Sequence, residues 1–253
     1  MTDTTLARHP PRQPHRRKRD WPAAMAAIRR LRANKEDTSQ VYAIMHALNG
    51  NAYARDYHRL LETQQGGRIA YERVELADRL GDEAWRATFP AGSVGAAYAT
   101  FIETEHLTPQ GLVDESHKGI PPEQLDQRHP HAWFFRRVRD LHDIWHVLTG
   151  YGRDSLGEMC LLAFSYQETH DLGRAVMALG GFMNAHGMAA PACRKAILEA
   201  RRRGKAARGW LPAEDHEALL FEPLEDARRR LGLTPPLAYE AVPPALRNLA
   251  MDK

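Results

Sequence analysis

Apolar residues recur at helical spacing along most of this chain. Trp21, Met25, Ile28 and Leu31 step by four, three and three, one amphipathic stripe. Asp37 or Thr38 can cap a second helix carrying Val41, Ile44, Met45 and Leu48, and Gly50 stops it. The pattern predicts further helices over about 52–63, closed by Gln64-Gln65-Gly66-Gly67, over 76–88, closed by Pro90, and over 94–105. Residues 107–128 hold Pro109, Gly111, Gly119, Pro121 and Pro122 and read as a loop. Phe134, Val138, Leu141, Trp145 and Leu148 then mark the core face of a helix that starts at His129-Pro130 and ends at Gly150. The helix over 155–170 has a middle, Met159 to Phe164, that is apolar on every side, which predicts burial. Helices over 172–188, 194–208 and 216–231 follow, then a proline-rich tail. No stretch alternates convincingly with strand period. The class is therefore all-α, a single multi-helix domain over residues 21–253.

Composition adds boundaries. With 43% hydrophobic and 26% charged residues in 253, the chain can bury a substantial core. The first twenty residues carry Arg8, Arg12, Arg16, Arg17, Lys18 and Arg19 with almost nothing apolar, a disordered basic tail. It is either a solvated terminus or a tether to anionic lipid, worth roughly 1 kcal/mol per basic residue. The longest uncharged stretch, residues 175–193, contains Asn184, His186, Pro191 and three glycines, too polar and broken to span a bilayer. The basic run Arg201-Arg202-Arg203, Lys205 and Arg208 lacks interleaved aromatics, which argues against a nucleic-acid surface and for a solvated face. Cys160 and Cys193 have no Cys-x-x-Cys neighbour and read as reduced core residues.

The chemistry concentrates between His142 and Glu158. His142 and His146 are four apart, so on a helix they project from one face. Asp143 lies about 100° from His142 and about 60° from His146, on the same arc. Glu158 follows a Gly-Tyr-Gly-Arg-Asp turn, at the start of a helix that can fold back on the first. Each has a bland reading: Asp143 can pair with Arg139, the histidines can be satisfied in the core, and Glu158 can favour a helix N-terminus. Together they are a divalent-metal ligand set, between two adjacent helices, that suits catalytic zinc or non-haem iron(II). A His-Asp phosphohydrolase would need another histidine and aspartate; His106 and Asp171 have no spacing that recommends them.

The string His142-Asp143-x-x-His146, eleven residues, then Glu158 resembles the signature of the coenzyme Q biosynthesis protein 4 family. The Arg136–Leu141 run before it and the Leu156-Gly157-Glu158 context are similar too. Asp140 stands where that family usually has glutamate, and the turn between Gly150 and Gly157 differs from its usual Pro-Thr type. The resemblance implies a divalent metal at His142, Asp143, His146 and Glu158, zinc first, with iron(II) or manganese as alternatives. These residues would then also be catalytic. It implies removal of the C1 carboxylate from a prenylated 4-hydroxybenzoate-derived ring with hydroxylation there, or else a prenyl-lipid-binding scaffold for ubiquinone enzymes. The implied partners are the prenylated precursor, other ubiquinone biosynthesis enzymes, the membrane surface and a second copy of the chain. The implied location is peripheral, on the inner side of a bacterial inner membrane, or the mitochondrial inner membrane in a eukaryote. The Leu172–Met188 helix and the Met159–Phe164 run would line an apolar prenyl-lipid groove, although tight helix packing is the simpler use of so many small residues.

Overall fold

The computed structural model of the chain describes residues 18–34, 37–121, 125 and 128–251. In chain order the helices are α1 (Trp21–Ala33), α2 (Ser39–Leu48), α3 (Ala52–Leu60), α4 (Gln64–Glu72), α5 (Leu76–Gly81), α6 (Glu83–Arg86), α7 (Val94–Thr104), α8 (Pro109–Gly119) and α9 (Pro130–Asp140). Then come α10 (His142–Thr149), α11 (Ser155–Thr169), α12 (Leu172–Asn184), α13 (Ala190–Ala206), α14 (His216–Leu219), α15 (Leu224–Arg230), α16 (Leu237–Glu240) and α17 (Pro244–Leu249). Among the described residues there is no strand ladder, only an isolated bridge between Ser93 and Pro223.

The apolar α11 is central, as its uniform composition requires. It packs against α12, α13, α16 and α17, and Leu156, Cys160, Leu161 and Phe164 are essentially inaccessible. Gly204 of α13 sits where a Cβ would lie 2.4 Å from the Phe164 carbonyl, so this contact is made backbone to helix. The stripe from Phe134 to Leu148 is buried along its whole length, and α10 packs on α7 and α15. Cys160 and Cys193 are free and buried.

Several boundaries differ from the sequence expectation, each for a local reason. The loop expected over 107–128 contains α8, because Thr108 accepts the Gly111 N–H at 3.1 Å and Pro109 occupies the first turn. Gln64-Gln65-Gly66-Gly67 opens α4 instead of closing α3: Thr63 accepts the Gly66 N–H, and Gly66 lies against the Leu60 carbonyl with no room for a Cβ. Asp82 divides the 76–88 helix by capping α6 at the Trp85 N–H. The long helix ending at Gly150 breaks at Leu141, a single residue that leaves the apolar stripe in phase. The C-terminal helix is two short ones, and the proline-rich tail holds α16 and α17. In α1, Ala24 and Ala27 take the core positions while Trp21 and Met25 are about half exposed. The basic tail expected over 1–20 lies outside the described residues up to residue 17. Arg19 donates to the Leu48 carbonyl at 3.1 Å and Asp20 caps α1.

Candidate metal centre

His142 and His146 stand on consecutive turns of α10, with ring centroids 4.7 Å apart. Gly150 ends this helix in the left-handed region (φ 78°), and its N–H returns to the His146 carbonyl at 2.9 Å. The chain then turns through residues 150–154 into α11, where Asp154 caps the Gly157 N–H at 2.9 Å. Tyr239 clamps the turn: its hydroxyl donates to Asp154 and accepts the Gly152 N–H at 3.0 Å. A Cβ on Gly157 would lie 2.0 Å from the Gly152 carbonyl, so glycine lets the turn close tightly enough to bring Glu158 back to the histidines.

The four predicted ligands meet. His142, Asp143 and His146 offer atoms within 4.8 Å of one another, a cluster able to hold a metal ion. Glu158 joins it, with Oε2 at 3.5 Å from His142 Nε2 and Oε1 at 3.4 Å from His146 Nε2. Arg139 does not take Asp143, as the bland reading allowed; it pairs with Asp140 at 2.7 Å and donates to Ser116. Asp143 is left with His142 Nδ1 at 3.1 Å. Arg153 reaches Glu158 only at 3.9 Å. Asp171 is committed elsewhere, capping α12 at the Gly173 N–H and meeting the Tyr53 hydroxyl.

The tautomer of His146 follows from its partner. Nδ1 faces the Tyr151 carbonyl at 3.0 Å, a pure acceptor, so Nδ1–H donates there. Nε2 is buried, lies 3.4 Å from Glu158 Oε1 and has no well-formed hydrogen bond; in the neutral ring it presents a lone pair to that carboxylate. A lone pair and a carboxylate oxygen facing each other at 3.4 Å repel unless a cation lies between them, either a proton or a metal. The residues fit a divalent ion by that observation and by their donor chemistry. The ion-free chain solves the conflict with protons. Burial opposes the charge on His142, but hydrogen bonds and charge from Asp143 and Glu158 outweigh it and push its pKa up to about 9. Burial alone would raise Glu158, yet the charges and hydrogen bonds of His146 and His142 hold its carboxyl well below the usual carboxylate range. Phe101 stacks on the His146 ring at 5.5 Å and screens that side.

Small residues of α12 serve mostly in packing. A Cβ on Gly173 would meet the Met45 backbone at 2.6 Å and one on Gly181 the Met159 side chain at 2.4 Å, whereas Gly180 faces open space. Leu179 and Met183, four apart, and Met188 just beyond are well exposed. Among the buried groups that escape the sequence reading are Arg137, inside a basic run, and His216, which is inaccessible and whose pKa burial and then the Arg137 charge push down to about 3. Arg137 lies three residues from Phe134 and four from Leu141, so its place on the core stripe was a usable signal.

Fold and site thus define an all-α protein with a His-Asp-His-Glu candidate metal centre between adjacent helices. The sequence model of the family described as Coenzyme Q (ubiquinone) biosynthesis protein Coq4 matches residues 18–236, and the chain belongs to that family. A relative named Ubiquinone biosynthesis protein coq4, mitochondrial, from Aspergillus fumigatus is 30% identical over 110 residues, 44% of this chain and 36% of that protein. The chain thus spans about a third of that relative's length. The Bos taurus Ubiquinone biosynthesis protein COQ4 homolog, mitochondrial, is 26% identical over 208 residues, 78% of this chain and 74% of that one. Among solved structures, a Nostoc punctiforme protein provisionally assigned to ubiquinone biosynthesis superposes with a TM-score of 0.61 at 20% identity. That match covers 84% of this chain and 98% of the other, and it supports the fold alone. No described helix is long and apolar enough to cross a membrane.

Proposed function

We propose that the protein is a metal-dependent enzyme of ubiquinone biosynthesis that decarboxylates and hydroxylates C1 of a prenylated 4-hydroxybenzoate-derived ring. The observation that carries this reading is the unpartnered His146 Nε2 facing Glu158, beside His142 and Asp143, in a chain of the Coq4 family. His142, Asp143, His146 and Glu158 would hold the ion. Once bound, it supplies a Lewis acid for the ring carboxylate or phenolate, and iron or manganese would add a redox capacity that zinc lacks. The chain's own part is to orient the His146 ring through the Tyr151 carbonyl so that Nε2 faces the site, to exclude water on the Phe101 side, and to surrender the His142 proton when the ion arrives.

The exposed Leu179, Met183 and Met188 support a face on which a prenyl chain or the membrane surface rests, with α12 and the Met159–Phe164 run beneath it. They equally favour a second reading, a scaffold that presents a prenylated intermediate to other ubiquinone enzymes. Turnover of the prenylated ring acid by the purified protein, compared with His146→Ala, separates the two. The enzyme reading expects conversion that His146→Ala abolishes while lipid binding persists. Unchanged conversion in the variant contradicts the assigned site, and no conversion by either protein leaves the scaffold.

A further inference from the structure

The turn between α10 and α11 takes its polar partners from the C-terminal segment. The Gly152 N–H donates to the Tyr239 hydroxyl of α16 at 3.0 Å, and the Ser155 N–H donates to Asn248 Oδ1 of α17 at 2.7 Å. Between these two points Asp154 accepts the Tyr239 O–H, and Arg247 Nη1 lies 3.8 Å from the same carboxylate oxygen. Arg247 also covers the Tyr239 ring at 4.1 Å and donates to the Val242 carbonyl at 2.9 Å, so it braces the hydroxyl in place. The segment is anchored on either side. The Ala238 N–H donates to Glu199 of α13 at 3.0 Å, and the Ala250 carbonyl accepts the His186 N–H at 3.0 Å.

Both ends of this turn reach a candidate ligand. At its start the Tyr151 carbonyl faces His146 Nδ1 at 3.0 Å and orients that ring. At its end Asp154 and Ser155 open α11, one turn before Glu158. A shift of the turn therefore moves Glu158 relative to His146, whose Nε2 its Oε1 faces at 3.4 Å. The fit of the segment on the turn is close: a Cβ on Gly152 would lie 2.7 Å from the Tyr239 hydroxyl, so only glycine admits it. Tyr239 is 3% exposed, which keeps water from taking over its two hydrogen bonds. Tyr239, Arg247 and Asn248 all lie beyond residues 18–236, the part of the chain that the family model matches.

We propose that Tyr239 and Asn248 are positioning residues of the metal centre: residues 237–250 form a strap over the turn, and the docked strap and an ion at the site stabilise each other. The strap supplies no ligand and acts through His146 and Glu158, so the inference rests on the metal reading of those residues. Coupling of this kind is reciprocal. The test is zinc titration of the chelator-stripped full chain, with hydrogen exchange measured with and without zinc. Tyr239→Phe removes the hydroxyl and keeps the ring against Tyr151 and Arg247. Asn248→Ala is a change at an exposed position, and Asn248→Asp keeps the oxygen that accepts the Ser155 N–H. Zinc affinity should fall about tenfold in Tyr239→Phe and about threefold in Asn248→Ala, and return to within about twofold of the original in Asn248→Asp. Zinc should also slow amide exchange in residues 237–250 of the unaltered chain, and this slowing should disappear in Tyr239→Phe; a strap that serves stability alone would show neither. If the unaltered chain binds zinc but Tyr239→Phe binds it equally well, or exchange in 237–250 ignores zinc, the strap is overturned and the metal centre stands. An unaltered chain that takes up no zinc overturns both.

Discussion

Gly157→Ala should damage the protein in a way that a second glycine-to-alanine change, Gly180→Ala, does not. Both glycines are helical, so alanine brings each a propensity gain of about 0.8–1.0 kcal/mol. At Gly180 a Cβ finds nothing within 4 Å, so the gain is realised and the variant should be up to about 1 kcal/mol more stable. At Gly157 the Cβ would lie 2.0 Å from the Gly152 carbonyl oxygen and 2.8 Å from its carbon, backbone atoms that Tyr239 holds in place. The turn must open by well over 1 Å. Overpacking of this kind typically costs about 1–3 kcal/mol, and a backbone obstacle lies at the upper end. Net destabilisation of about 1–2 kcal/mol is expected, hence a gap of about 2–3 kcal/mol between the two variants. Opening the turn also carries Glu158 away from His142 and His146, so affinity for a divalent ion should fall by about tenfold or more. Urea denaturation of chelator-treated protein measures the first effect and metal titration of the folded variants the second. Equal stability of the two variants, or unaltered metal affinity in Gly157→Ala, would refute the claim that this glycine sets the position of Glu158.

Two buried groups give stability opposite pH slopes. Burial pushes Glu168 up to about 7, so its contribution is present below the unfolded pKa near 4.3 and is lost as pH rises through 7; Glu168→Gln should remove a decline of up to about 3 kcal/mol. His216 is held neutral down to about 3, so stability falls as pH drops below the unfolded value near 6.5, a slope that Glu168→Gln leaves exposed in urea melts from pH 4 to 8. Metal binding should release about one proton per ion at pH 7, because His142 is protonated in the ion-free chain; calorimetry in buffers of differing ionisation enthalpy reads this, and zero release would exclude His142 as a ligand. Arg203→Met should destabilise by about 2–4 kcal/mol in thermal melts, since the buried guanidinium ties the Thr149 and Thr234 carbonyls to α13; a change under about 0.5 kcal/mol would contradict that tie.

The geometry of the candidate site was legible because its residues are close in sequence. Helical spacing places His142, Asp143 and His146 on one arc, and the short turn to Glu158 leaves the chain few ways to fold back. The core was legible wherever a stripe is long, as from Phe134 to Leu148 and through α11. What escaped depends on partners distant in sequence. Arg137 and Arg139 sit in a basic run, and their burial is explained only by Glu217, Asp140 and Ser116. Arg203 likewise reads as one of three solvated arginines until Thr149 and Thr234 are placed beside it. Proline and glycine hid α8, although Thr108-Pro109 is a helix start of the usual kind. Gly66 was read as punctuation where it allows close packing against the Leu60 carbonyl, and the close approach of Gly157 to Gly152 has no sequence signal of its own.

Metal analysis of protein purified without oxygen, alongside His146→Ala, tests the central claim most directly. One divalent ion per chain, lost in the variant, is the predicted result; iron or manganese would favour the oxidative reaction and zinc alone the scaffold. Protein that folds normally and holds no ion in either form would contradict the assignment of His142, Asp143, His146 and Glu158 as a metal centre.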